Sequence, residues 1–343
     1  MNIILLIIGF IILIKGADIF VDGASSLASN FKVPKILIGL TIVAFGTSAP
    51  EFAVSIKSML SNNGDIVLGN VIGSNIFNIL LILGVAGMIY PLTVKKDTVK
   101  KELPMVLLIT LAFSVLLSDN LFENTKNIFT RSDGIIILLF FSIFLYYLIS
   151  IALKDRGVKK VEEPKYNLLK SIIFTSLGIG AIILGSNMVV EEAVVLANKV
   201  GISEKIIALT IIAFGTSLPE LVTSVVASIK KETDLAIGNV IGSNIFNICV
   251  VIGIPALLFG DIEAISFTYI DLGVLLLSSL ILWLFTFRDY RISKRESLIL
   301  LVIFITYYTY VLIIEKTVKT LFFMMDLLLL MECQDYIIWL PNF

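Results

Sequence analysis

The chain has 343 residues, 58% of them apolar and only 15% charged, with a mean hydropathy of +1.01; a water-soluble domain carries a far more charged surface, so most soluble folds are excluded. The formal net charge is −1 and the 26 basic residues are scattered among short segments, so nucleic acid is not an expected partner. The two cysteines, Cys249 in an apolar run and Cys333 near the end, form no disulfide framework, and histidine, the commonest transition-metal ligand and near-neutral proton carrier, is absent.

Met1 to Phe20 lacks a basic leader and a small-residue cleavage site, and reads as a retained start of the first span. A bilayer crossing takes about 20 mostly apolar residues. Runs of that kind fall at 2–26, 36–58, 66–90, 103–118, 134–153, 168–190, 205–229, 235–259, 265–287 and 297–314. The expected fold is therefore all-α and integral to a membrane, with ten transmembrane helices. Residues 1–153 form a first five-helix repeat, 154–167 a charged linker, 168–314 a second five-helix repeat, and 315–343 a tail whose apolar run is broken by Asp326.

Basic loops stay cytoplasmic. Alternate loops, beginning with Lys32 and Lys35 and including 95–101, 154–170, 230–231 and 288–295, hold 18 of the 26 Lys and Arg. The central loop is thus expected in the cytoplasm of a multi-pass cell-membrane protein, with both ends of the ten-helix core outside. Seven more Lys and Arg lie on the opposite side, and only Lys15, inside the first span, is left over.

An internal duplication dominates the pattern. GTSAPE at 46–51 returns as GTSLPE at 215–220, and GNVIGSNIFNI at 69–79 returns unchanged at 238–248, both displaced by 169 residues. The same offset aligns Gly16 with Gly185, Asp18 with Asn187, Asp22 with Glu191 and Thr41 with Thr210. An odd number of spans per copy inverts the second copy in the membrane. Inverted repeats are a transporter architecture, with the site near the midplane at the repeat interface.

Glu51 and Glu220 lie deep in apolar spans, where an ionised carboxylate costs at least a few kcal/mol unless compensated. A bound cation is the simplest partner shared by both repeats. Helical spacing sets Thr47 and Ser48 one turn from Glu51, and Thr216 and Ser217 one turn from Glu220. Pro50 and Pro219 have no N–H to give to the carbonyls of Gly46 and Gly215, which frees backbone oxygen at membrane depth. In the second motif Asn70, Ser74 and Asn78 recur every four residues, as do Asn239, Ser243 and Asn247, with Asn75 and Asn244 flanking. Gly69 with Gly73 and Gly238 with Gly242 have GxxxG spacing suited to close helix packing. The oxygens are all hard, which suits Ca²⁺, with its 6–8 oxygen ligands, and Na⁺, and does not suit zinc or copper.

These two motifs, present in both halves, resemble the two α-repeats of the sodium/calcium exchanger family within the cation/calcium exchanger superfamily, over residues 1 to about 314. The resemblance implies a sodium/calcium exchanger-like fold, alternating access and exchange of several Na⁺ for one Ca²⁺, with these ions as substrates and no cofactor. It implies that Glu51 and Glu220 are the central Ca²⁺ ligands, that Thr47 and Thr216 add oxygens, and that Ser48, Ser74, Ser217, Ser243 and the carbonyls of Ala44 and Ala213 shape flanking Na⁺ sites. Some relatives carry aspartate at one of the positions held here by Asn78 and Asn247. This chain offers one fewer charge there. Proton-coupled relatives show an acidic residue and a histidine in the second motif, and neither copy matches them.

The alternatives are a proton/calcium antiporter of the same superfamily and, further off, a passive cation channel, which gathers its filter around a symmetric pore. A hydrolase would need a base beside a nucleophile, which TSxPE lacks. The chain is compatible with a monomer, and the lipid bilayer is its expected surrounding.

Overall fold

A computed structural model describes residues 2–61, 63–123, 126–154, 163–199, 213–263, 269–311 and 313. The chain forms two units, Met1–Leu301 and Val302–Phe343. The first holds every motif above; the second is helical over 302–311. Most of the linker (155–162), the start of the seventh expected span (200–212) and the tail (314–343) lie outside the described residues.

Helix is the expected answer for so apolar a chain, because backbone polar groups in lipid must be satisfied within the segment. The first half contains α1 (Asn2–Phe31), α2 (Lys35–Thr47), α3 (Ala49–Leu60), α4 (Gly64–Ile89), α5 (Leu103–Leu116), α6 (Asp119–Glu123) and α7 (Arg131–Lys154). The second contains α8 (Leu168–Lys199), α9 (Ala213–Thr216), α10 (Leu218–Ile229), α11 (Thr233–Phe259) and α12 (Tyr269–Asp289), and residues 294–301 are again helical. Among the described residues six helices are long and apolar enough to cross a membrane, and the bent pair α2 and α3 makes a seventh. The fourth expected span is shorter than a full crossing, with α5 running over only 14 residues beyond a π-helical turn at Thr98–Glu102. The seventh begins before the described residues, and the tenth is divided between the two units.

The equivalent first helices of the two halves, α1 and α8, pack antiparallel. The backbones approach so closely that a Cβ at Gly185 would lie 2.5 Å from the backbone N of Leu13, and one at Gly178 would lie 2.6 Å from Cβ of Phe20. Only glycine fits these crossings. The outer side of α1 shows Ile3, Ile4, Ile7, Ile11 and Ile14, a surface suited to lipid.

Four two-residue strands stitch the halves together. β1 (Leu92–Thr93) pairs antiparallel with β4 (Arg291–Ile292), and β2 (Ile128–Phe129) with β3 (Ile262–Glu263). Each strand buries one apolar side chain: Leu92, Ile292, Phe129 and Ile262 are fully buried.

Candidate cation site

Both GTSxPE motifs break a helix in the same way. α2 ends at Thr47, Ser48 leaves helical geometry at φ −84°, ψ 7°, and α3 starts at Ala49 with Pro50 in its first turn, bent by 44° from α2. In the second copy α9 ends at Thr216, Ser217 sits at φ −90°, ψ 6°, and α10 starts at Leu218 with Pro219 in its first turn. Proline is tolerated there because the first N–H groups of a helix have no internal acceptor. The carbonyl of Gly215 that Pro219 leaves without its usual donor accepts the Ser186 hydroxyl at 3.1 Å. The carbonyl of Ala44 accepts the Ser48 N–H at 3.0 Å and the Thr47 hydroxyl at 3.3 Å. Ala213 opens α9.

The breaks bring the two glutamates inside the protein, Glu51 at 1% exposure and Glu220 at 0%. Their serine partners are exchanged between repeats. Ser48 donates to Glu220 Oε1 at 2.8 Å, and Ser217 donates to Glu51 Oε1 at 3.1 Å. Ser217 also contacts the Ser74 hydroxyl at 3.2 Å, and Ser243 donates to Glu220 Oε1 at 3.4 Å. Thr216 approaches Glu51 and Thr47 approaches Glu220. Spacing along one helix sets each serine beside the glutamate that follows it; the break at the serine turns its hydroxyl to the glutamate of the opposite repeat instead.

The polar stripes on α4 and α11 hold this arrangement in place. The Asn70 amide donates to the carbonyl of Glu51 at 2.9 Å and to Ser55 at 3.2 Å. The Asn239 amide donates to the carbonyl of Glu220 at 3.3 Å and to Ser224 at 2.9 Å, and its oxygen accepts the Thr47 hydroxyl at 3.0 Å. The repeated GxxxG spacing gives close packing in the second copy and not at Gly73, where a Cβ would meet nothing within 4 Å among the described residues. Gly238 and Gly242 press on α2, a Cβ at Gly242 falling 2.7 Å from the carbonyl oxygen of Leu40.

At Asn78 and Asn247 both stripes change to π-helical turns, Asn78–Ile82 and Asn247–Val251, a distortion often found at functional sites. The turn at Asn78 packs on α10 and the turn at Asn247 on α3, so each faces the helix of the opposite glutamate. Asn78 donates to Asn244 at 2.9 Å, and Asn244 donates to the carbonyl of Asn75 at 3.4 Å.

What remains unpaired is informative. Glu51 Oε2, Glu220 Oε2, Asn75 Oδ1, Asn78 Oδ1 and both polar atoms of Asn247 are buried without a protein partner. Buried polar groups in native proteins are overwhelmingly paired, so several buried acceptors left open mark this region as a candidate cation site. Among the described residues no Lys or Arg pairs with either glutamate, the ion pairs lying elsewhere. Lys15, inside the first span, is exposed. No group of three or more Asp, Glu, His or Cys that could hold a metal ion is found among the described residues; the candidate donors here are two carboxylates and neutral oxygens.

Three neighbours escaped the reading by motif. Ser55 and Ser224 anchor the Asn70 and Asn239 amides, and their position four residues beyond each glutamate, repeated at the 169-residue offset, is the signal that marks them. Thr223, whose buried hydroxyl has no partner, is matched by Val54 and so carries no repeat signal.

A family model described as sodium/calcium exchanger protein matches residues 1–150 and 170–313. The inner membrane protein YrbG of Escherichia coli K12 is 40% identical over 294 residues, covering 83% of this chain and 88% of that one. The sodium/calcium exchanger MaX1 of Methanosarcina acetivorans is 30% identical over 89% of this chain and 97% of its own. Among solved structures, the sodium-calcium exchanger NCX_Mj soaked with 10 mM Na⁺ and 10 mM Sr²⁺ superposes with a TM-score of 0.79 at 31% identity, covering 90% of this chain and 97% of that one.

Proposed function

The chain belongs to the sodium/calcium exchanger protein family, transporters rather than enzymes, and is a multi-pass membrane antiporter of calcium and other cations; from that premise we propose that it exchanges Na⁺ for Ca²⁺ at the crossed glutamates. The observation that carries the proposal is the set of open buried oxygens on Glu51, Glu220, Asn78 and Asn247. Ca²⁺ takes oxygen ligands from carboxylates, amides, hydroxyls and carbonyls. Two carboxylates neutralise one Ca²⁺ in a medium where an unbalanced charge is costly. The hydroxyls of Thr47, Thr216, Ser48, Ser217, Ser74 and Ser243 and the carbonyls of Ala44 and Ala213 would complete Ca²⁺ and flanking Na⁺ sites. These are carried over from the family resemblance, and the approach of Thr216 to Glu51 and of Thr47 to Glu220 is consistent with them.

The inverted pairing of the broken helices supports alternating access, since each face of the membrane meets the same chemistry. Lys and Arg bias supports a cytoplasmic linker at 154–167 between the 1–153 and 168–314 repeats, with both ends of the core outside. The tail, 315–343, is assigned no role.

Ca²⁺ uptake into proteoliposomes loaded with Na⁺, with K⁺ or with a pH gradient tests the coupling ion. Uptake should require internal Na⁺. Uptake driven equally well by the proton gradient alone would refute sodium coupling. Because Asn78 and Asn247 add no charge, one Ca²⁺ or two Na⁺ would balance the carboxylates, and three Na⁺ would leave a surplus moderated by cavity water and the asparagine dipoles; exchange of two Na⁺ per Ca²⁺ is electrically silent, whereas three carries net charge. The duplicated hydroxyls on either side of the carboxylates favour three. Uptake indifferent to a clamped membrane potential would decide for electroneutral exchange.

A further inference from the structure

The 169-residue offset that reproduces the site fails at one place where charge collects. On α1, Asp18, Asp22 and Ser25 lie one or two turns apart and share a face. That face meets the turn after α10, where Lys231 adopts a left-handed conformation at φ 61°. The Lys230 ammonium lies 2.8 Å from Asp18 Oδ1 and 2.7 Å from Asp22 Oδ1, and donates to the carbonyl of Asp18 at 2.7 Å. Lys165, just before α8, holds the other oxygen of Asp22 at 2.6 Å. Next to this cluster Glu232 accepts the Ser25 hydroxyl at 3.1 Å and pairs with Lys35 at 2.9 Å. The carboxylate of Asp22 and the ammonium of Lys230 are each about four-fifths buried, which protects the pair from the screening that makes exposed ion pairs nearly worthless.

At the repeat-equivalent place, on the opposite membrane face, no such ion pair is found among the described residues. Asn187 stands for Asp18, Glu191 for Asp22, Ser61 for Lys230 and Asn63 for Glu232. No cation is available to pair with Glu191 from that turn. Packing follows the charges. α1 lies along α10, while among the described residues α8 makes no comparable seam with α3.

We propose that Lys230, bridging Asp18 and Asp22 with Lys165 behind them, is an ionic latch that closes the seam between α1 and α10 and biases the transporter toward the state open on the opposite face. The inference rests on the antiport reading for its transport consequence, and on the geometry alone for the latch itself. A two-state equilibrium shifts by the free energy that distinguishes the states, and a ligand's apparent affinity from one side scales with the fraction of protein open to that side. Loss of the latch therefore strengthens apparent Ca²⁺ affinity on the face that bears Lys230 and weakens it on the other. Two opposed movements are the signature; a general loss of packing weakens both.

The test uses the full chain in oriented proteoliposomes with Lys230→Met, the charge-conserving Lys230→Arg, and Asp22→Asn. Lys230→Met and Asp22→Asn should move the half-saturating Ca²⁺ concentrations of the two faces in opposite directions, each by about threefold to tenfold, and Lys230→Arg should stay near the unaltered chain. Movement in the same direction on both faces, or none, would overturn the latch. Hydrogen exchange reads the seam without transport. Lys230→Met should speed exchange over residues 224–232 and leave residues 55–61 unchanged. Equal change in both segments, or in neither, overturns the latch whether or not the chain exchanges Na⁺, whereas a sodium-independent uptake by the unaltered chain counts against the coupling and leaves this outcome in force.

Discussion

The centre of the molecule and its rim treat the internal duplication differently. At the centre the principal anchors match: Ser48 serves Glu220 as Ser217 serves Glu51, and Asn70 anchors the carbonyl of Glu51 as Asn239 anchors that of Glu220. At the rim Lys230 holds two aspartates while Ser61 stands at the matching position. On the proposed reading, a cation reaching the centre from either face would meet equivalent oxygens, so symmetry there would serve both halves of a transport cycle. The rim decides which face is open, and two identical rims would leave no preference.

The comparison is broken most sharply at the carboxylates. Glu51→Gln or Glu220→Gln should abolish Ca²⁺ exchange, a loss of ~100-fold or more, since uncompensating a buried charge costs on the order of 3–5 kcal/mol. The matched serine and asparagine anchors predict losses of similar size. Near-normal exchange in either variant, in protein that still purifies as a folded monodisperse species, would remove the glutamates from the centre of the proposal.

Crowding the α2 and α11 crossing comes next. Gly242→Val inserts side-chain carbon where even a Cβ would sit 2.6 Å from Cβ of Ala44, and overpacking of this kind costs about 1–3 kcal/mol. A lowered thermal midpoint in detergent is the expected result. An unchanged midpoint would mean that the crossing can relax without cost.

Smaller effects sharpen the comparison. Ser48→Ala and Ser217→Ala each withdraw one donor from the carboxylate of the opposite repeat, and about 0.5–1.5 kcal/mol is the usual net worth of such a bond. Each should change the half-saturating Ca²⁺ concentration by roughly threefold to tenfold. Combining Ser48→Ala with Glu51→Gln should show less coupling than combining it with Glu220→Gln. The reverse order of coupling would contradict the crossed pairing.

Much of the centre was legible because its causes are local. Pro50 and Pro219 announce helix breaks, a carboxylate inside an apolar span announces a partner, and the period of four in Asn70, Ser74 and Asn78 announces one helix face. The crossing of Ser48 to Glu220 was hidden, since spacing within one helix cannot reveal a contact made 172 residues away after the chain bends at that serine. The π-helical turns at Asn78 and Asn247 were hidden as well, because they leave no compositional mark. The charge bridge at Lys230 was half visible: the offset aligned Asp18 with Asn187 and Asp22 with Glu191, but the lysine that gives the difference meaning arrives from a turn two hundred residues further along.

The short strands carry a consequence for synthesis. Leu92 finds its partner in Ile292, and Phe129 in Ile262, so both edges in the first half are translated long before their complements exist. Contacts of such separation are slow to form. When only the first half has been made, each of its two short strands keeps an unpaired backbone edge and an apolar side chain without its partner. β3 closes one edge, and the other waits until β4 has emerged, close to the last helix of the unit. Both pairings are therefore complete only once β4 has been made.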